Sequence, residues 1–257
     1  MKIPDTFMGF DLETTGVDVD HDRIVTAAMV EVLHGAPVRS RTWLVDPGIP
    51  IPEGATRVHG ITTSVAQRDG MNSIRAIAQI AGEVWGALTH GIPLVIMNAP
   101  YDLTLLDREC RRHDVSPITE MLDFAQDAII LDPYVLDRHA DPYRPGKRKL
   151  ESLADYYGVT LEGAHEASAD ALAAVQVTQK ILRCAEDPRA VRRTTHHNQV
   201  YGRELAELYA KQKLWCAAQA ASYQSWLRRT KDPKAIVNGA WPIHPAPESA
   251  MEVADAA

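Results

Sequence analysis

Apolar residues follow two different spacings along the first 186 residues. Short runs of apolar and β-branched residues predict buried strands at 6–12, 23–33, 38–45, 93–97 and 128–131. Spacings of three and four predict helices at 72–88, from 100 onward, at 150–157 and at 168–184. Asn72 or Ser73 can cap the first of these helices. The order βββαβαβαα predicts an α/β fold, a mixed five-stranded sheet flanked by helices.

The end of the chain has a different pattern. Residues 194–230 predict one long helix or two shorter ones, because side chains that would share one helix face recur every three or four residues. We favour a packing face over a ligand or partner site for the recurring positions Tyr201, Leu205, Leu208, Gln212, Trp215, Gln219, Ser222 and Trp226. After Trp241, prolines and then small and acidic residues predict a disordered end.

Charge divides the chain at a similar place. Residues 1–186 carry 17 Lys/Arg and 27 Asp/Glu, a net charge of −10, whereas residues 187–257 carry 10 and 7, a net charge of +3. We therefore predict one domain over 1–186, a helical C-terminal extension over 187–241 and a disordered tail over 242–257.

Composition narrows the class of protein. The 257-residue chain is 46% apolar, which excludes a disordered or collagen-like chain. Its net charge of −7, taken alone, argues against a nucleic-acid partner. No apolar run approaches the length of a membrane span, so no membrane partner is expected. Three widely spaced cysteines indicate a reducing environment, and we expect a cytoplasmic protein.

Two carboxylates end the first predicted strand. Asp11 and Glu13 share one face of this strand, because side chains alternate, while Leu12 points into the core. Neighbouring carboxylates repel each other and resist burial unless a cation lies between them. On its own the Asp-x-Glu pattern is more typical of a solvated strand end.

Two further segments place acidic residues at helix starts. Asp102 and Asp170 are each expected in the first turn of a helix. His165 falls in the loop before the second of these helices, with Ser168 or a neighbour as the cap, because five helical residues would separate it from Asp170 by about 140°. Four carboxylates and one histidine suit hard divalent cations, and two such ions suit phosphodiester cleavage.

Three motifs, taken in order, resemble those of a known family. They are FDLETTG (10–16), NAPYD (98–102) and HEASADA (165–171), and they resemble the motifs of the DEDDh family of 3′–5′ exonucleases, most of all the proofreading (epsilon) subunits of bacterial DNA polymerase III. VHGIT (58–62) resembles a segment that the family has between the first two motifs. The resemblance covers about residues 6–185 and implies a ribonuclease-H-like fold. One departure is Asp132-Pro133, where Asp-Thr is common in the family.

The resemblance implies a site for two Mg²⁺ or Mn²⁺ ions. It implies that Asp11 bridges both ions and that Glu13 and Asp170 bind the ion that carries the water. Asp102 is implied to act on the second ion through water, and His165 is implied as the general base. Substrate contacts are implied for Leu12, Thr14, Thr15, His59, Asn98 and Tyr101. For His59, a structural loop histidine is an equal alternative.

Basic residues form clusters that are candidates for contact with phosphates. A loop cluster, for which a solvated surface is an equal alternative, comprises Arg144, Lys147, Arg148 and Lys149. A helical cluster comprises Arg108, Arg111 and Arg112. For this cluster we favour an attractive interaction of the cations with the dipole at the helix C-terminus. A third cluster comprises Arg189, Arg192, Arg193, His196 and His197. It could contact DNA or a partner protein, or equally belong to a helical cap packed on the domain.

The sequence therefore predicts a metal-dependent 3′–5′ exonuclease that releases nucleoside 5′-monophosphates from DNA 3′ ends in proofreading or repair. Its expected partners are a nucleic-acid 3′ end, preferably single-stranded DNA, and a DNA polymerase or another replication or repair protein. Two alternatives stay open: an exoribonuclease of the same family, and a catalytically silent module that binds nucleic acid or a polymerase. The complete set of five candidate residues favours an enzyme.

Overall fold

The sheet begins as an antiparallel meander of three long strands. A computed structural model describes residues 3–184 and 204–246 of the chain. Strands β1 (Thr6–Thr14), β2 (Ile24–Leu33) and β3 (Ala36–Asp46) lie where the apolar runs predict them. β2 pairs antiparallel with both of its neighbours, so β1 and β3 flank it.

Three short strands extend this meander on both sides. β5 (Leu94–Val95) pairs parallel with β1, and β6 (Ile130–Leu131) pairs parallel with β5. β4 (Met71–Asn72) pairs parallel with β3, which gives the order β4-β3-β2-β1-β5-β6. The mixed sheet is confirmed, but the prediction of five strands is one short. A two-residue strand is too brief for an alternating pattern to reveal it.

The long helices lie where the spacing predicts them, and several short helices do not follow from it. The helices are α1 (Glu53–His59), α2 (Thr63–Asp69), α3 (Ser73–Thr89), α4 (Ala99–Arg112), α5 (Ile118–Phe124), α6 (Pro133–Ala140), α7 (Leu150–Tyr157), α8 (Ala167–Cys184) and α9 (Leu205–Thr230). Asn72, not Ser73, caps α3, because its Oδ1 accepts a hydrogen bond from the Arg75 amide. The sequence analysis missed α1, α2, α5 and α6, which have only seven or eight residues each.

Two apolar layers cover the two faces of the sheet. On one face, Met8, Phe10 and Leu12 of β1 join a cluster that includes residues of α3 and α4. On the other face, Phe7 joins a cluster that includes residues of α6, α7 and α8. Because side chains alternate along a strand, Asp11 and Glu13 lie on the same face as Phe7, next to α8.

The C-terminal extension packs over the β6 edge of the sheet. Leu205, Leu208 and Gln212 of α9 are buried, and Gln212 donates a hydrogen bond to the Ile130 carbonyl and accepts one from the Asp132 amide. The packing face is thus present in the first half of α9. It ends before Trp226, whose side chain is exposed. Residues 194–203 of the predicted helix, including Tyr201, lie outside the described residues, as do the boundary near 187 and the basic cluster at 189–197.

Residues 231–246, which we call the strap, return from the end of α9 to the domain. Trp241 is buried, the His244 amide donates to Thr104 Oγ1, and Arg108 donates to the carbonyls of His244 and Pro245. The prediction of a disordered tail is therefore wrong for residues 242–246, because these hydrogen bonds hold them on α4. The rest of that tail, 247–257, lies outside the described residues. Within the described ranges, none of the helices combines the length and apolar character that a membrane crossing demands.

Candidate active site

Close packing of α8 on β1 brings two acidic segments together. Gly9 makes this packing feasible, because a Cβ atom at this position would lie 2.4 Å from the Ala171 carbonyl oxygen. Ala171 directly follows Asp170, so the first turn of α8 lies against the strand that carries Asp11 and Glu13. The sequence analysis did not single out Gly9, although a glycine inside a strand is a signal of close backbone approach.

The loop before α8 holds His165 beside Asp170. His165 has a positive φ of 67°, and its amide donates a hydrogen bond to Asp170 Oδ2 at 3.2 Å. Asp170 lies in the first helical turn, as the sequence analysis expects. Ser168 is not the cap, since it lies inside α8 and its hydroxyl donates to Glu166 Oε1.

One ligand atom each from Glu13, His165 and Asp170 lies within 4.8 Å of the other two. The second carboxylate oxygen of Asp170, Oδ1, is buried and has no hydrogen-bond partner among the described residues. An unpaired buried carboxylate oxygen is costly, whereas a bound cation satisfies it. This observation fits a divalent cation held by oxygen atoms at this point.

Asp102 reaches the same region from α4. Asn98 precedes this helix in the left-handed conformation, with a φ of 61°, and Asp102 lies in the first turn. Asp102 is buried, and its Oδ1 accepts a hydrogen bond from the Leu12 amide at 3.1 Å. The bond ties the start of α4 to β1 between the two strand carboxylates.

Burial raises the pKa of all four carboxyl groups, and repulsion from other members of the group adds to it for Asp11, Glu13 and Asp102. For Asp11, burial is the main cause, followed by the charges of Asp102, Asp170 and Glu13. Burial and then the charge of Asp170 raise the pKa of Glu13 to about 7. Burial likewise raises the pKa of Asp102 and of Asp170, and the backbone of His165 only partly opposes it for Asp170. Among the described residues, no lysine or arginine lowers any of these four pKa values, and the only opposing charge is that of His165, which acts on Asp170.

A cavity of about 390 Å³ opens in front of these groups. It is lined by Asp11, Met97, Asn98, Tyr134, Arg148, Lys149, Leu150, Glu151, His165 and Asp170. His165 Nε2 lies 3.6 Å from Glu151 Oε1, and both side chains are nearly half exposed. The sequence analysis missed Glu151 and Tyr134, because nothing in their local sequence distinguishes them from surface residues.

The predicted substrate contacts fall into two groups: side chains at the cavity, and a side chain that builds the turn after β1. Asn98 lines the cavity, and Tyr101 is fixed beside it, because its hydroxyl donates to the Gly16 carbonyl and lies 2.5 Å from Thr14 Oγ1. Thr15 is buried, and its hydroxyl donates to Asp22 Oδ1, so its side chain builds the turn after β1. The backbone of Leu12 and Thr14 runs between these groups.

His59 lies at the end of α1, away from the residues that line the cavity. Its Nδ1 accepts a hydrogen bond from the Ile61 amide, and burial lowers its pKa, which the backbone of Thr14 opposes. Its Nε2 is buried without a hydrogen-bond partner among the described residues. The ring therefore lies in the HGIT segment close to Thr14 at the end of β1.

Most of the candidate phosphate-binding arginines are already paired with carboxylates. Arg144 and Arg148 are largely buried and form ion pairs with Asp137, so they are neither a solvated surface nor free phosphate contacts. In the loop cluster, only Lys149 is an exposed cation that lines the cavity, while Lys147 is exposed elsewhere. The helical cluster forms ion pairs in the same way, Arg108 and Arg111 with Asp107 and Arg112 with Glu109.

A comparison with known protein families identifies the family to which this arrangement belongs. The family model described as Exonuclease matches residues 8–178, which contain all five candidate catalytic residues. The chain belongs to the exonuclease family.

Relatives of this exonuclease are bacterial replication proteins by name. A DNA polymerase III subunit epsilon-like protein of Rhodobacter capsulatus is 32% identical over 182 residues, which is 69% of this chain and 24% of that protein. A PolC-type DNA polymerase III of Lacticaseibacillus paracasei is 29% identical over 165 residues, which is 64% of this chain and 10% of that protein. The exonuclease therefore spans a quarter or less of the length of these two relatives.

Solved structures give the same fold. E. coli exonuclease I in complex with a dA16 oligonucleotide matches with a TM-score of 0.59 at 21% identity, over 73% of this chain and 42% of that one. The predicted ribonuclease-H-like fold and the predicted family are thus confirmed.

Asp132, which the sequence analysis treated only as a departure from the family, organises the rim of this exonuclease's site. It is fully buried and accepts hydrogen bonds from the amides of Asn98, Ala99 and Tyr134 and from the Trp241 indole. Burial raises its pKa to about 6, and these donors oppose the shift. Trp241 lies beyond the family match, so one carboxylate connects the rim of the site to the strap.

Proposed function

We propose that this exonuclease hydrolyses single-stranded DNA from its 3′ end with two divalent cations, Mg²⁺ or Mn²⁺, and releases nucleoside 5′-monophosphates. The observation that carries the proposal is the cluster of four buried or half-buried carboxylates that has no lysine or arginine partner among the described residues. Such a cluster is costly unless cations neutralise it. The family assignment makes phosphodiester hydrolysis the chemistry that these cations serve.

Five residues would hold the cations and handle the proton. Asp11, Glu13 and Asp170 would bind them directly, and Asp102, whose Oδ1 accepts from the Leu12 amide, would act on the second one through water. When bound, two divalent cations activate a water molecule and stabilise the leaving oxygen of an in-line displacement.

His165 would accept the proton from the attacking water. Its left-handed backbone and the hydrogen bond from its amide to Asp170 hold the ring over the cavity. Glu151, 3.6 Å from Nε2, would stabilise the ring once it is protonated. Histidine is the side chain that most often serves as a general base in proteins.

Proofreading or repair is the setting that the relatives suggest. An epsilon-like protein and PolC-type polymerases are replication proteins by name, and the solved exonuclease I contains a single-stranded oligonucleotide. We propose DNA as the substrate and a polymerase or another repair protein as the partner. The cell interior, where such proteins work, is the proposed location.

Digestion of matched strands tests the proposal. A 5′-labelled single-stranded DNA should give a ladder that shortens from its 3′ end with Mg²⁺ or Mn²⁺, while the matched RNA and the duplex should react more slowly. Faster digestion of the RNA would establish the exoribonuclease alternative instead. No digestion of any strand with either metal would establish a silent binding module and overturn the proposal.

Variants of the carboxylates test the assignment of the site. Asp11→Ala and Asp170→Ala should each lose more than the roughly 10–100-fold that outer-shell changes cost in metal sites, with an unchanged circular dichroism spectrum. His165→Ala should lose rate while it still binds Mn²⁺ in calorimetry. His34→Ala, an exposed histidine in the β2–β3 turn, serves as the control and should keep full activity. A loss of Mn²⁺ binding in His165→Ala would contradict the role as a base.

A further inference from the structure

A second cavity, of about 400 Å³, lies between the exonuclease fold and its C-terminal extension. We call it the extension cleft, and the residues that matter for its chemistry are Tyr101, Tyr134, Arg138, Gln219, Tyr223 and Asn238. Asn98 and Tyr134 line both this cleft and the active-site cavity. The two cavities therefore share a rim, and a strand bound in one can continue into the other.

The wall that the extension contributes is held at several points. The Val237 amide donates to Gln224 Oε1, and Arg228 donates to the Ala235 carbonyl, so the strap lies along α9. Gly239 allows a close approach, because a Cβ atom there would lie 3.0 Å from the Ala220 Cβ. Beyond the cleft, Trp241 is anchored on Asp132. These contacts make the cleft a built part of the fold.

Aromatic surface is the first chemical property of the cleft. Tyr223 of α9 is 45% exposed and stacks on Trp226, with ring centroids 5.7 Å apart and planes 13° apart. Tyr134 contributes a second ring from the opposite wall. Exposed rings on rigid elements are the platforms on which proteins stack the bases of single strands, without regard to base identity.

Positive charge is the second property. Arg138 donates to the Tyr134 hydroxyl at 2.8 Å and has no carboxylate partner within the described part of the chain, unlike the arginines of the two clusters described above. Lys231 lies over the Trp226 ring at 5.2 Å. Residues 204–246 carry six Lys/Arg and three Asp/Glu, whereas the chain as a whole is acidic. The cleft thus combines stacking surface with one arginine that has no carboxylate partner among the described residues, and Lys231 lies near it on the stacked pair of α9. This combination suits a nucleic-acid strand better than an acidic or apolar peptide.

We infer that the extension cleft binds a base of the substrate strand on the 5′ side of the scissile phosphodiester, stacked on Tyr223, with Arg138 at an adjoining phosphate. The inference rests on the proposed function for the identity of the strand. Gln219 Oε1, which is buried without a hydrogen-bond partner among the described residues, and the Asn238 amide offer polar groups to a base edge. The extension is therefore part of the substrate site, although it lies outside the family match.

Strands that lack a single base test this inference. A set of 5′-labelled single strands carries one abasic nucleotide at successive positions from the 3′ end. Two quantities are measured for each strand: kcat/KM of the first cleavage with Mn²⁺, and Kd by fluorescence anisotropy in EDTA. In the wild-type protein, one internal position should weaken both by at least about fivefold, the lower end of what one lost base–aromatic stack costs.

Tyr223→Ala should remove this dependence on position. It should also weaken the binding of the intact strand and lower its kcat/KM by the same factor. Leu214→Ala is the matched control, because Leu214 is exposed on the same helix, and nine residues place it about 180° around from Tyr223. It should keep the wild-type profile. A flat profile in the wild-type protein, or one that Tyr223→Ala does not change, overturns the inference. A protein that cleaves no strand overturns the proposed function, and the Kd profile still decides the role of the cleft.

Discussion

Two regions of this exonuclease bury carboxylates in opposite ways. In the first, Asp137 of α6 is fully buried and is matched by Arg144, Arg148 and the Tyr157 hydroxyl, which donates to its Oδ1 at 2.8 Å. In the second, four carboxylates around β1 lie close together without a lysine or arginine partner in the described part of the chain, and their pKa values are raised. Both regions line or support the same cavity.

The difference separates a structural ion cluster from a functional one. A buried charge whose partners are all supplied by the chain stabilises the fold when both sides are kept. A buried charge without such partners is kept only where something from outside supplies them. Acidic residues are abundant throughout the chain, so the absence of a lysine or arginine partner among the described residues, rather than acidity, marks the candidate active site.

The largest effect is expected where the pairing is complete. Asp137→Asn leaves Arg144 and Arg148 without their counter-charge, and it should lower the free energy of unfolding by about 3–5 kcal/mol. Urea denaturation of the metal-free protein measures this. Asp155→Asn, on the exposed side of α7, is the control and should change it little. A loss under about 1 kcal/mol for Asp137→Asn would refute the contrast between the two regions.

The next largest effect is expected from added metal, which should stabilise the region of the four carboxylates around β1. Mn²⁺ at one hundred times its Kd should raise the free energy of unfolding by about 2.7 kcal/mol, because it binds the folded state alone. Asp170→Asn should reduce this gain and Asp155→Asn should keep it, as thermal shift assays can show. An equal gain in all three proteins would mean that Mn²⁺ binds elsewhere.

Glu13→Gln should raise the free energy of unfolding, whereas Asp137→Asn should lower it. The effect of Glu13→Gln should also be smaller. Because burial and the charge of Asp170 raise the pKa of Glu13 from an ordinary value of 4.5 to about 7 in the folded protein, wild-type stability falls as pH rises through this window. The metal-free variant should therefore gain about 1 kcal/mol at about pH 8, after allowance for solvent screening, and nothing below pH 4.5.

Chemical denaturation at a series of pH values in EDTA measures this gain. The wild-type and Glu13→Gln curves should converge as pH falls, and the difference should open between the two pKa values. A difference that widens toward acid pH would contradict a raised pKa of Glu13 in the folded protein.

The smallest effect concerns Lys149, the exposed cation of the loop cluster that lines the cavity, since Arg148 is paired with Asp137. Lys149→Ala should weaken binding of single-stranded DNA and reduce the slope of log Kd against log salt by about 1, as expected for one phosphate contact. Lys147→Ala, exposed in the same loop, should leave the slope unchanged. Equal slopes for both variants would show that the loop does not distinguish its cations by position.

Local rules were sufficient for the acidic residues of the site. Strand alternation placed Asp11 and Glu13 on one face, and helix starts placed Asp102 and Asp170, because both rules depend only on near neighbours in sequence. The three long strands and the long helices followed from the same kind of pattern. The prediction of one site from three separate segments came from the motifs, and the sheet order brings these segments to one edge.

Long-range pairings were beyond these rules. The sequence analysis offered Arg144 and Arg148 to phosphates because nothing local identified Asp137, on a helix it had not predicted, as their partner. Asp132 was read against the family pattern, whereas its four hydrogen-bond donors come from three parts of the chain. Apolar spacing reports burial, and it does not report which polar group a buried group meets.

The hydrogen bonds around Asp132 have a consequence for how this protein can be divided. A fragment that stops at residue 184 would strip Leu208 and Trp241 from the core and leave the Asp132 amide and the Ile130 carbonyl without Gln212. Exposed apolar surface and orphaned backbone groups both favour the unfolded chain. We therefore expect the unit of cooperative unfolding to extend beyond the family match, which ends at residue 178, and to include the strap.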